Sequence, residues 1–346
     1  AKHHRQQFSI PFLAITGSNG KTTTKGLVHA VLATKFRTYT TEGNLNNHIG
    51  VPLTILKIKG DAEMAIVEMG ANHQKEIAGY CTYALPTHAM ITNCGKAHLE
   101  GFGGVEGIRK GKGELYDFIR ANGGTIFLMD DYDYLHTMSK GIKHIIKYGT
   151  KEGVVTGHVS QSDPFLEVQF TKGLSGKLTT QLVGDYNLPN VLSAAAIGNY
   201  FGISESDIKQ AITDYSPTNS RSQMLHKGSN EIILDAYNAN PSSMKAAIEN
   251  FAAMHAKKKV LVLGAMAEMG DDSKAEHQAL IDLIDKQKWA DVLLVGKDFN
   301  TGTHNYNTFA TAAEAGEHLR AQHLTHSTLL IKGSRSTGME KVLDYL

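Results

Sequence analysis

Apolar runs and amphipathic stretches alternate along the first half of the chain. Short runs rich in Ile, Val, Leu, Met and Phe predict buried strands, and stretches with apolar residues three and four positions apart predict helices. Such an alternation is typical of a mainly parallel sheet covered by helices. The predicted strands are residues 8–15, 36–40, 64–68, 88–91 and 125–128, and the predicted helices are residues 22–33, 73–81 and 105–121.

The pattern changes between residues 142 and 183. Short segments of alternating polarity there predict a small, partly antiparallel extension. Residues 216–220, SPTNS, are polar and rich in structure breakers, so they predict a linker. The elements predicted on either side of it are helices 188–201 and 205–214 before it, then strands 232–235, 260–264, 292–295 and 329–332 and helices 242–255, 273–286, 310–321 and 338–345.

These elements predict an α/β fold with two domains. A chain of 346 residues exceeds the size of one ordinary core. We expect residues 1–216 to form a central domain with a mainly parallel sheet. We expect residues 217–346 to form a smaller, Rossmann-like α/β domain.

Charge and cysteine content narrow the class of protein. The 35 basic and 34 acidic residues give a formal net charge of +1, which offers no electrostatic case for binding nucleic acid or an anionic membrane. Cys81 and Cys94 have neither a disulfide-framework nor a metal-site spacing, as expected of a cytosolic protein with free thiols. No apolar run approaches the roughly 20 residues of a membrane span, so we expect a soluble, cytoplasmic enzyme without membrane insertion.

The strongest chemical signal lies in residues 16–24, TGSNGKTTT, between the first predicted strand and the first predicted helix. A glycine-rich turn there leaves backbone N–H groups and a helix N-terminus facing an anion. Lys21 would reach the outer phosphates of a nucleotide, and the hydroxyl of Thr22 would hold Mg²⁺. The spacing G-x-x-G-K-T is shorter than that of the general P-loop, G-x-x-x-x-G-K-[ST]. We interpret the segment as a nucleoside triphosphate site rather than a structural turn.

Three further residues among the elements predicted before the linker are candidates for the same site. Glu68 ends a predicted strand, at the sheet end where ligands bind. A carboxylate there would bind Mg²⁺ or orient water; the alternative is that it caps a helix. His98 follows another strand in a glycine-rich loop and would bind a metal or a phosphate, or be an ordinary polar histidine. Lys112 lies between two glycines of a predicted helix, and the pattern alone does not distinguish it from a solvated helix face.

The elements predicted after the linker, and the helix predicted over 188–201 before it, contain further polar residues that are candidates for the site. Asn187 and Asn190 stand at a predicted helix start, as caps or as readers of a purine edge. Arg221 would contact phosphate, and Asp235, at the end of a predicted strand, would accept from a ribose hydroxyl. Arg335 in the segment KGSRS would bind an anion or carboxylate as a bidentate fork, or be surface charge.

Taken in this order, the segments resemble the Mur ligases, the ATP-dependent amino-acid ligases of peptidoglycan synthesis. The resemblance spans nearly the whole chain and rests on residues 16–24, 41–50, 68–73, 97–102, 235–242 and 332–340. Within the family, TEGNLNNHIG at residues 41–50 and KGSRS at residues 332–336 are similar to the MurF-type branch, which adds D-Ala-D-Ala to UDP-MurNAc-tripeptide. The Asp-Asn-Pro-Arg motif expected of a diaminopimelate-adding relative is absent from the sequence.

The resemblance implies a role for each candidate residue. Lys21, His98 and Lys112 would be catalytic, and Lys112 matches a position that CO₂ carbamylates in several relatives. The residues implied to bind ATP are Gly17, Ser18, Asn19, Gly20, Lys21, Thr22, Thr23, Asn187, Asn190, Arg221 and Asp235. The residues implied to hold Mg²⁺ are Thr22, Glu68, His98 and Lys112. The residues implied to bind the peptide substrates are Asn44, Asn46, Asn47, Asn238, Lys332, Ser334 and Arg335.

The resemblance also implies a two-step reaction. The peptide carboxylate would attack the γ-phosphate of ATP to give an acyl phosphate, and the amine of D-Ala-D-Ala would then displace phosphate. Because both domains contribute ATP-binding residues, closure about the linker at residues 216–220 would complete the site. We expect a monomer that takes these small molecules as its partners.

Three departures from the family pattern accompany the resemblance. Lys96 stands where Pro commonly precedes Ala-His, and Ala265 stands where Asp is usual. The P-loop strand begins within ten residues of Ala1, whereas these ligases carry a further N-terminal domain for the UDP-sugar, so we interpret the sequence as a fragment. Two alternatives remain open: another amide ligase, similar to folylpolyglutamate synthase or cyanophycin synthetase, and a non-catalytic nucleotide-binding subunit.

Overall fold

The strands of the protein form two sheets in the computed structural model, which describes residues 1–218 and 220–346. The first sheet contains β1 (Phe12–Thr16), β2 (Thr38–Thr40), β3 (Met64–Glu68), β4 (His88–Ile91), β5 (Thr125–Met129), β6 (His144–Gly149), β7 (Val155–Ser162), β8 (Leu166–Lys172) and β9 (Lys177–Thr179). The second contains β10 (Gln223–Lys227), β11 (Asn230–Asp235), β12 (Lys259–Gly264), β13 (Asp291–Val295), β14 (Asn307–Phe309) and β15 (Thr328–Lys332).

Helices connect most of these strands. The α-helices of the described residues are α1 (Lys2–Arg5), α2 (Lys21–Leu32), α3 (Gly50–Leu56), α4 (Glu76–Ala84), α5 (Leu99–Phe102), α6 (Val105–Asn122), α7 (Asp133–Met138), α8 (Leu188–Tyr200), α9 (Glu205–Asp214), α10 (Pro241–Ala253), α11 (Ser273–Ile284) and α12 (Ala312–Ala321). Short 3₁₀ helices are Asp185–Asn187, Gly270–Asp272, Lys297–Thr301, Arg335–Thr337 and Met339–Tyr345. None of the helices in the described part of the chain is long and apolar enough to cross a membrane.

The first sheet is mainly parallel and continues into antiparallel strands at one edge. Its strand order is β2-β3-β1-β4-β5-β6-β7-β8-β9, with parallel pairing from β2 to β7 and antiparallel pairing from β7 to β9. Every residue of β1, β3 and β5 is buried, as expected for parallel strands covered on both faces. The predicted parallel sheet and its partly antiparallel extension are confirmed.

Helix α8 is stabilised by burial rather than by an amphipathic face. Ten of its thirteen residues are buried, among them Leu192 and Ile197. It packs against α2 and α9 and against the strands β5, β6 and β7. A helix surrounded by other elements is apolar on all sides, which explains the Ala-rich sequence of this segment.

The second sheet has the order β10-β11-β15-β12-β13-β14, with β10 antiparallel at one edge and the other strands parallel. The chain runs from β12 to β14 in one direction and then returns to insert β15 between β11 and β12. In sheets wound this way, ligands bind outside the carboxyl ends of the strands beside the reversal. Those ends carry Asp235 on β11, Gly264 on β12 and Lys332 on β15. The predicted α/β fold class holds for both sheets.

The first strand begins later than the pattern predicts. It starts at Phe12 rather than at residue 8, because Arg5 at the end of α1 holds the intervening segment. The guanidinium of Arg5 donates to the backbone oxygens of Ala84 (2.9 Å) and Phe8 (2.7 Å), and it lies 3.6 Å from the ring centroid of Phe12. A buried cation must have its donors satisfied, and these contacts keep the segment out of the sheet.

Several short elements have no recognisable sequence pattern. Helix α3 contains Pro52 and follows an Asn-rich loop, and the Oδ1 atom of Asn47 starts it by accepting the backbone N–H of Gly50 (2.9 Å). The edge strands β10 and β14 and the helices α5 and α7 are too short to show a clear period. The helix predicted over 338–345 is a 3₁₀ helix, Met339–Tyr345.

The predicted linker, residues 216–220, falls between α9 and β10. One of its residues, Asn219, lies outside the described residues. The domain boundary at 216/217 therefore stays a prediction, although the two sheets lie on opposite sides of it in the sequence.

Truncation of α8 tests its contribution to the core. We expect Leu192→Ala to lower the free energy of unfolding by about 3 kcal/mol, because it removes a fully buried side chain and leaves a cavity. The matched control is Leu53→Ala on α3, where 43% of the residue is exposed and the loss should stay below about 0.5 kcal/mol. Urea unfolding followed by circular dichroism measures both, and equal losses would contradict the central position of α8.

Candidate functional site

The carboxyl ends of both sheets open onto one cleft with a volume of about 1470 Å³. The predicted residues that line it are Ser18, Asn19, Gly20, Lys21, Thr22, Thr23, Asn46, Asn47, Glu68, His98, Asn187, Asn190, Arg221, Asp235, Asn238 and Lys332. The fold thus brings most of the predicted site residues together, although they come from both halves of the chain.

The P-loop joins β1 to α2 in a conformation that requires glycine. Gly20 directly precedes the first helical residue, Lys21, and has a φ of 79° in the left-handed region. A Cβ atom at Gly20 would lie only 2.7 Å from Oδ1 of Asn190. The loop backbone therefore sits against α8, and the N-terminus of α2 faces the cleft.

The rest of the P-loop is anchored on the segment that follows β4. The backbone N–H of Ser18 donates to the carbonyl oxygen of Asn93 (2.9 Å), and the N–H of Asn19 donates to Oδ1 of Asn93 (3.1 Å). The Ser18 hydroxyl donates to the carbonyl oxygen of Gly95 (2.7 Å). These bonds hold the loop in one conformation, while Thr23 lines the cleft in the first turn of α2.

Lys21 bends back over the P-loop. Its Nζ atom donates to the carbonyl oxygens of Gly17 (2.6 Å) and Ser18 (3.1 Å). Burial lowers the pKa of Lys21 to about 8, with the carboxylate of Glu68 opposing this shift and the charge of Arg221 adding to it. A cation held at the centre of a glycine-rich loop suits a phosphate oxygen, which would be a stronger partner than the two carbonyl groups.

Glu68 is a fully buried carboxylate at the end of β3. It accepts hydrogen bonds from the hydroxyl of Thr22 (3.1 Å) and the side-chain amide of Asn46 (2.8 Å), and it pairs with the ammonium of Lys25 (3.3 Å). None of these partners is a backbone N–H at a helix start, so Glu68 is not a helix cap. A carboxylate beside a hydroxyl provides the oxygen ligands that Mg²⁺ prefers.

The Asn-rich loop contributes two of its three predicted asparagines to the cleft. Asn46 lines it and contacts Glu68, and Asn47 lines it while its Oδ1 atom starts α3. Asn44 is exposed and is not among the residues that line the cleft. Its carbonyl oxygen instead accepts the N–H of Asn46 (2.8 Å), so Asn44 shapes the turn rather than facing the site.

His98 contacts the second sheet's loops rather than the other predicted metal ligands. Its Nδ1 atom bonds to Oε2 of Glu268, in the loop between β12 and α11. This hydrogen bond lowers the pKa of Glu268. The predicted metal set is therefore not assembled around His98: Thr22 and Glu68 contact each other, whereas His98 is paired with Glu268, which lines a neighbouring cavity.

Lys112 is a buried residue of α6 and not part of a solvated helix face. It is 1% exposed, its Nζ atom donates to the carbonyl oxygen of Ala71 (2.9 Å), and the ring of Phe102 lies 4.8 Å away. Burial lowers the pKa of Lys112 to about 7, and the charge of Lys21 acts in the same direction. Lys112 does not line the cleft itself, although Ala71 does. Much of this amine is neutral near pH 7, the form that reacts with CO₂.

The two asparagines at the start of α8 are linked to the P-loop helix. The amide nitrogen of Asn190 donates to Oδ1 of Asn187 (2.8 Å), and its Oδ1 atom accepts the hydroxyl of Thr24 (3.0 Å). The amide nitrogen of Asn187 donates to the carbonyl oxygen of Val183 (2.9 Å), and its side chain makes no cap hydrogen bond. Asn187 therefore occupies the predicted N-cap position of α8 without capping the helix through its side chain, and both side chains are held in place at the edge of the cleft.

Asp235 and Lys332 form an ion pair on the opposite wall. They are register partners on β11 and β15, and Nζ of Lys332 lies 2.5 Å from Oδ2 of Asp235. Lys332 also donates to the carbonyl oxygen of Asn238 (3.3 Å), while Oδ1 of Asp235 accepts the N–H of Ser222 (3.2 Å). The ammonium of Lys332 thus makes two contacts with protein groups while the residue lines the cleft, and its contact with substrate stays a prediction.

Arg221 is held by an aromatic ring. Its guanidinium lies 3.7 Å from the ring centroid of Tyr237, and its Nε atom is buried without a hydrogen-bond partner. Stacking on a ring fixes a guanidinium while leaving its N–H groups directed outward. Arg221 therefore presents unused donors on the wall of the cleft.

Ser334 and Arg335 lie outside this cleft. Ser334 lines a neighbouring cavity of about 910 Å³ and donates its hydroxyl to the carbonyl oxygen of Ala265 (2.6 Å). Arg335 is exposed, with its guanidinium 5.6 Å from the ring centroid of Tyr237. Because the chain turns into a 3₁₀ helix directly after Ser334, these side chains diverge from Lys332 and do not share its site.

Other residues of the cleft escaped the sequence pattern. Asn240 donates from its amide nitrogen to Oδ1 of Asn19 (2.7 Å), which joins the start of α10 to the P-loop. Its position before Pro241 at a helix start is a capping signal that would have identified it. Tyr132 and Tyr134 stack with ring centroids 5.6 Å apart beyond the end of β5, and no local pattern indicates that they face the cleft.

The residues present fit a nucleoside triphosphate and Mg²⁺. The loop at Gly20 leaves no room for a side chain, Lys21 is central to it, and Arg221 has an unpaired buried donor opposite. Thr22 and Glu68 supply an oxygen pair suited to Mg²⁺. Within residues 1–218 and 220–346, no group of three or more His, Cys, Asp or Glu side chains is arranged to hold a metal ion.

The P-loop follows the carboxyl end of β1 and faces the carboxyl ends of the second, Rossmann-like sheet across one polar cleft. This arrangement defines a class of P-loop proteins whose site is shared between two α/β units, here the first sheet with its helices and the second sheet with its helices. Residues 15–198 match the model of the Mur ligase middle domain, and residues 220–335 match that of the Mur ligase glutamate ligase domain. The chain belongs to the Mur ligase family. The resemblance found in the sequence is confirmed.

The proteins similar to this chain include UDP-N-acetylmuramoyl-tripeptide–D-alanyl-D-alanine ligases and a solved MurF ligase. The UDP-N-acetylmuramoyl-tripeptide–D-alanyl-D-alanine ligase of Bacillus subtilis (strain 168) is 37% identical, with 86% of this chain and 65% of that protein covered. Its counterpart from Escherichia coli (strain K12) is 34% identical, with 99% and 78% covered. The solved MurF ligase of Thermotoga maritima in complex with ADP is 25% identical, with a TM-score of 0.88 and coverage of 99% and 81%. The chain thus spans about two thirds of the length of the first relative.

A side chain at Gly20 tests the P-loop. We expect Gly20→Ala to weaken ATP binding at least about tenfold, because the methyl group meets Asn190 and the left-handed backbone is strained. The matched control is Gly43→Ala, which has a φ of 51° but no atom within 4 Å of the added Cβ and should keep its ATP affinity. Isothermal titration calorimetry measures both affinities, and equal affinities in the two variants would contradict the assignment.

Proposed function

We propose that the chain is an ATP-dependent, ADP-forming carboxylate–amine ligase that joins D-Ala-D-Ala to UDP-MurNAc-tripeptide in peptidoglycan precursor synthesis. The observation that carries this proposal is the shared cleft, in which Lys21, Thr22 and Glu68 line one wall and Arg221 and Asp235 line the other. The Bacillus subtilis and Escherichia coli relatives are ligases of this kind, which supports the choice of substrates.

The phosphates of ATP would bind at the P-loop. Backbone N–H groups at the N-terminus of α2 and the ammonium of Lys21 suit the phosphate oxygens. Arg221 supplies a second cation from the opposite wall, and its Nε atom has no hydrogen-bond partner among the described residues. Bound Mg²⁺ would be held by Thr22 and Glu68 and would neutralise charge on the phosphates.

The nucleoside of ATP would lie between the two units. Asp235 offers a carboxylate oxygen to a ribose hydroxyl, and Lys332 keeps that carboxylate in place. Asn187 and Asn190 line the cleft at the start of α8 and would lie beside the adenine, and to read its polar edge their amide groups would exchange their bonds to Val183 and Thr24. Because these groups come from both units, bound ATP would stabilise the closed arrangement of the cleft.

The reaction would proceed in two steps, phosphoryl transfer to the peptide carboxylate and then displacement of phosphate by the amine. First, an oxygen of the peptide carboxylate forms a bond to the γ-phosphorus, the bond from that phosphorus to the β–γ bridging oxygen breaks, and ADP leaves. Second, the amino nitrogen of D-Ala-D-Ala attacks the acyl carbon, phosphate leaves with the electron pair of the broken C–O bond, and the nitrogen loses a proton. Lys21 and Arg221 would orient the transferred phosphoryl group and hold its charge.

The peptide substrates would bind beside the phosphates. Asn46 and Asn47 line the cleft next to Glu68, and Asn238 lines it beside Asp235. Their amide groups would donate to and accept from peptide carboxylate and amide groups. We also propose a cytoplasmic monomer, because Cys81 and Cys94 are free and buried and one chain supplies both walls of the cleft.

Carbamylation of Lys112 is part of the proposal. We expect a ¹³C carbamate resonance when the protein is equilibrated with ¹³C-bicarbonate, and we expect it to grow as the pH rises through about 7, where this lysine loses its proton. The variant Lys112→Arg should lack the resonance, because a guanidinium stays protonated. The control Lys110→Arg, at an exposed position of α6, should keep it. A resonance that persists in Lys112→Arg would contradict the assignment.

Phosphate release tests the proposed ligase. The purified chain receives ATP, Mg²⁺, UDP-MurNAc-tripeptide and D-Ala-D-Ala, with each peptide substrate omitted in turn. It is assayed alone and joined to the upstream segment of the Escherichia coli relative. We expect release that requires both peptide substrates. If neither form responds to the dipeptide, the proposed function fails.

The variant Lys21→Ala links that activity to the P-loop. We expect it to lower ATP turnover by at least about a hundredfold, because the phosphoryl group loses its nearest cation. The control Lys35→Ala removes a lysine that bonds to Phe201 and Gly202, and it should keep the parent rate. Circular dichroism checks that both variants are folded. Parent-like turnover in Lys21→Ala would overturn the site assignment.

A further inference from the structure

The segment that follows β4 contacts the second unit, which consists of strands β10–β15 and their helices, through Lys96. The Nζ atom of Lys96 lies 2.5 Å from Oε1 of Glu276, and its backbone N–H donates to the hydroxyl of Ser242 (2.9 Å). Ser242 lies in the first turn of α10, and Glu276 lies in the first turn of α11. A single residue of the first unit therefore contacts the starts of two helices of the second.

The backbone around Lys96 approaches the second unit closely. A Cβ atom at Gly95 would lie 2.9 Å from the hydroxyl oxygen of Ser242 and 3.1 Å from Nδ2 of Asn19. Two positions further along, His98 pairs with Glu268. These distances leave no room for a side chain at Gly95, so the segment packs directly against the start of α10.

The same helix start carries the contact with the P-loop. Asn240 caps α10 and donates to Oδ1 of Asn19, two residues before Ser242. The hydrogen bond from the Lys96 N–H to Ser242 therefore also fixes the start of α10, and with it the position of Asn240 beside the P-loop. The ion pair with Glu276 adds a second point of attachment, and two points on different helices restrict rotation of the unit as well as its distance.

We infer that Lys96 is a positioning residue that docks the starts of α10 and α11 against the P-loop edge and so sets the width of the cleft. The wall that carries Arg221 and Asp235 then lies at a defined distance from Lys21. The consequence for catalysis rests on the proposed function, whereas the docking itself does not.

The size of the effect follows from exposure and charge. The Lys96 side chain is 48% exposed and that of Glu276 is 15% exposed, so water and salt screen the pair in part. Partly exposed ion pairs of this kind shift an equilibrium by about fivefold at most. Lys96 therefore biases the ratio of closed to open cleft rather than locking the cleft shut.

Distances between spin labels test the docking directly. Labels at His144→Cys on β6 and Glu340→Cys in the last 3₁₀ helix report the separation of the units, since both positions are exposed and the native thiols are buried. In the parent we expect one dominant short distance. In Lys96→Met we expect a longer component and a closed-to-open ratio lower by about fivefold.

Three further variants and a salt titration separate docking from damage to the fold. The charge reversal Lys96→Glu should open the cleft further, and the double variant Lys96→Glu/Glu276→Lys should restore the parent distances. The variant Lys57→Met removes the partner of Glu42, a surface ion pair within the first unit, and should leave the distances unchanged. Sodium chloride at high concentration should shift the parent toward the distances of Lys96→Met.

Kinetics supply a second readout. If ATP binding draws the cleft closed, Lys96→Met should raise the KM for ATP, by at most about fivefold because the closed fraction cannot fall by more than the closed-to-open ratio, with kcat almost unchanged, and Lys96→Arg should behave as the parent. An unstable variant would instead lose kcat. Parent-like distances in Lys96→Met, or no recovery in the double variant, would overturn the inference. If the distance changes are seen but neither the chain alone nor the form joined to the upstream segment has ligase activity, the proposed function fails and the docking stands.

Discussion

The burial of one carboxylate organises the first wall of the cleft. Glu68 ends an apolar strand with none of its surface exposed, and an unpaired charge removed from water in this way would cost several kcal/mol. Its partners are Thr22 and Lys25 on the P-loop helix and Asn46 on the Asn-rich loop, and the hydroxyl of Thr41 accepts its backbone N–H. Because all of them must converge on the same group, the P-loop, the strand end and the loop are held in one arrangement. The phosphate cradle and the oxygen pair suited to Mg²⁺ follow from it.

The second wall also contains a carboxylate at a strand end that is paired with a lysine, here on the second sheet. Asp235 and Lys332 end neighbouring parallel strands, and their ion pair is buried where the sheet reverses its winding direction. Arg221 beside them is held by stacking on Tyr237 and retains donors for a ligand. Each wall thus contains a carboxylate paired with a buried lysine together with a further cation, Lys21 or Arg221, that is not paired with a carboxylate of the described residues. A polar cleft between two such walls suits a reaction in which negative charge moves from a carboxylate to a departing phosphate.

Sequence patterns predicted the elements whose boundaries are local. The strands β3 and β4 and the helix α9 match their predicted ranges, because their apolar periods end where turn or capping residues begin. The start of β1 and the helix α3 depend instead on Arg5 and on Asn47, whose side chains bond to backbone groups of their surroundings. In the site, Gly20 and Lys21 were recognisable from spacing, whereas the partner of His98 is Glu268, 170 positions away. No local pattern carries that pairing.

By itself the sequence determined the chemistry at the P-loop, since the turn, the helix N-terminus, Lys21 and Thr22 lie within a few residues of each other. Only the tertiary structure decided which other polar groups join them. It buries Lys112 in α6, commits Lys332 to Asp235, directs Ser334 into a neighbouring cavity and brings Lys96 against Glu276. The physical reason is that burial and charge pairing depend on which faces of distant elements pack together. Residue type and spacing decide what a side chain can bind, and packing decides whether it is available to bind it.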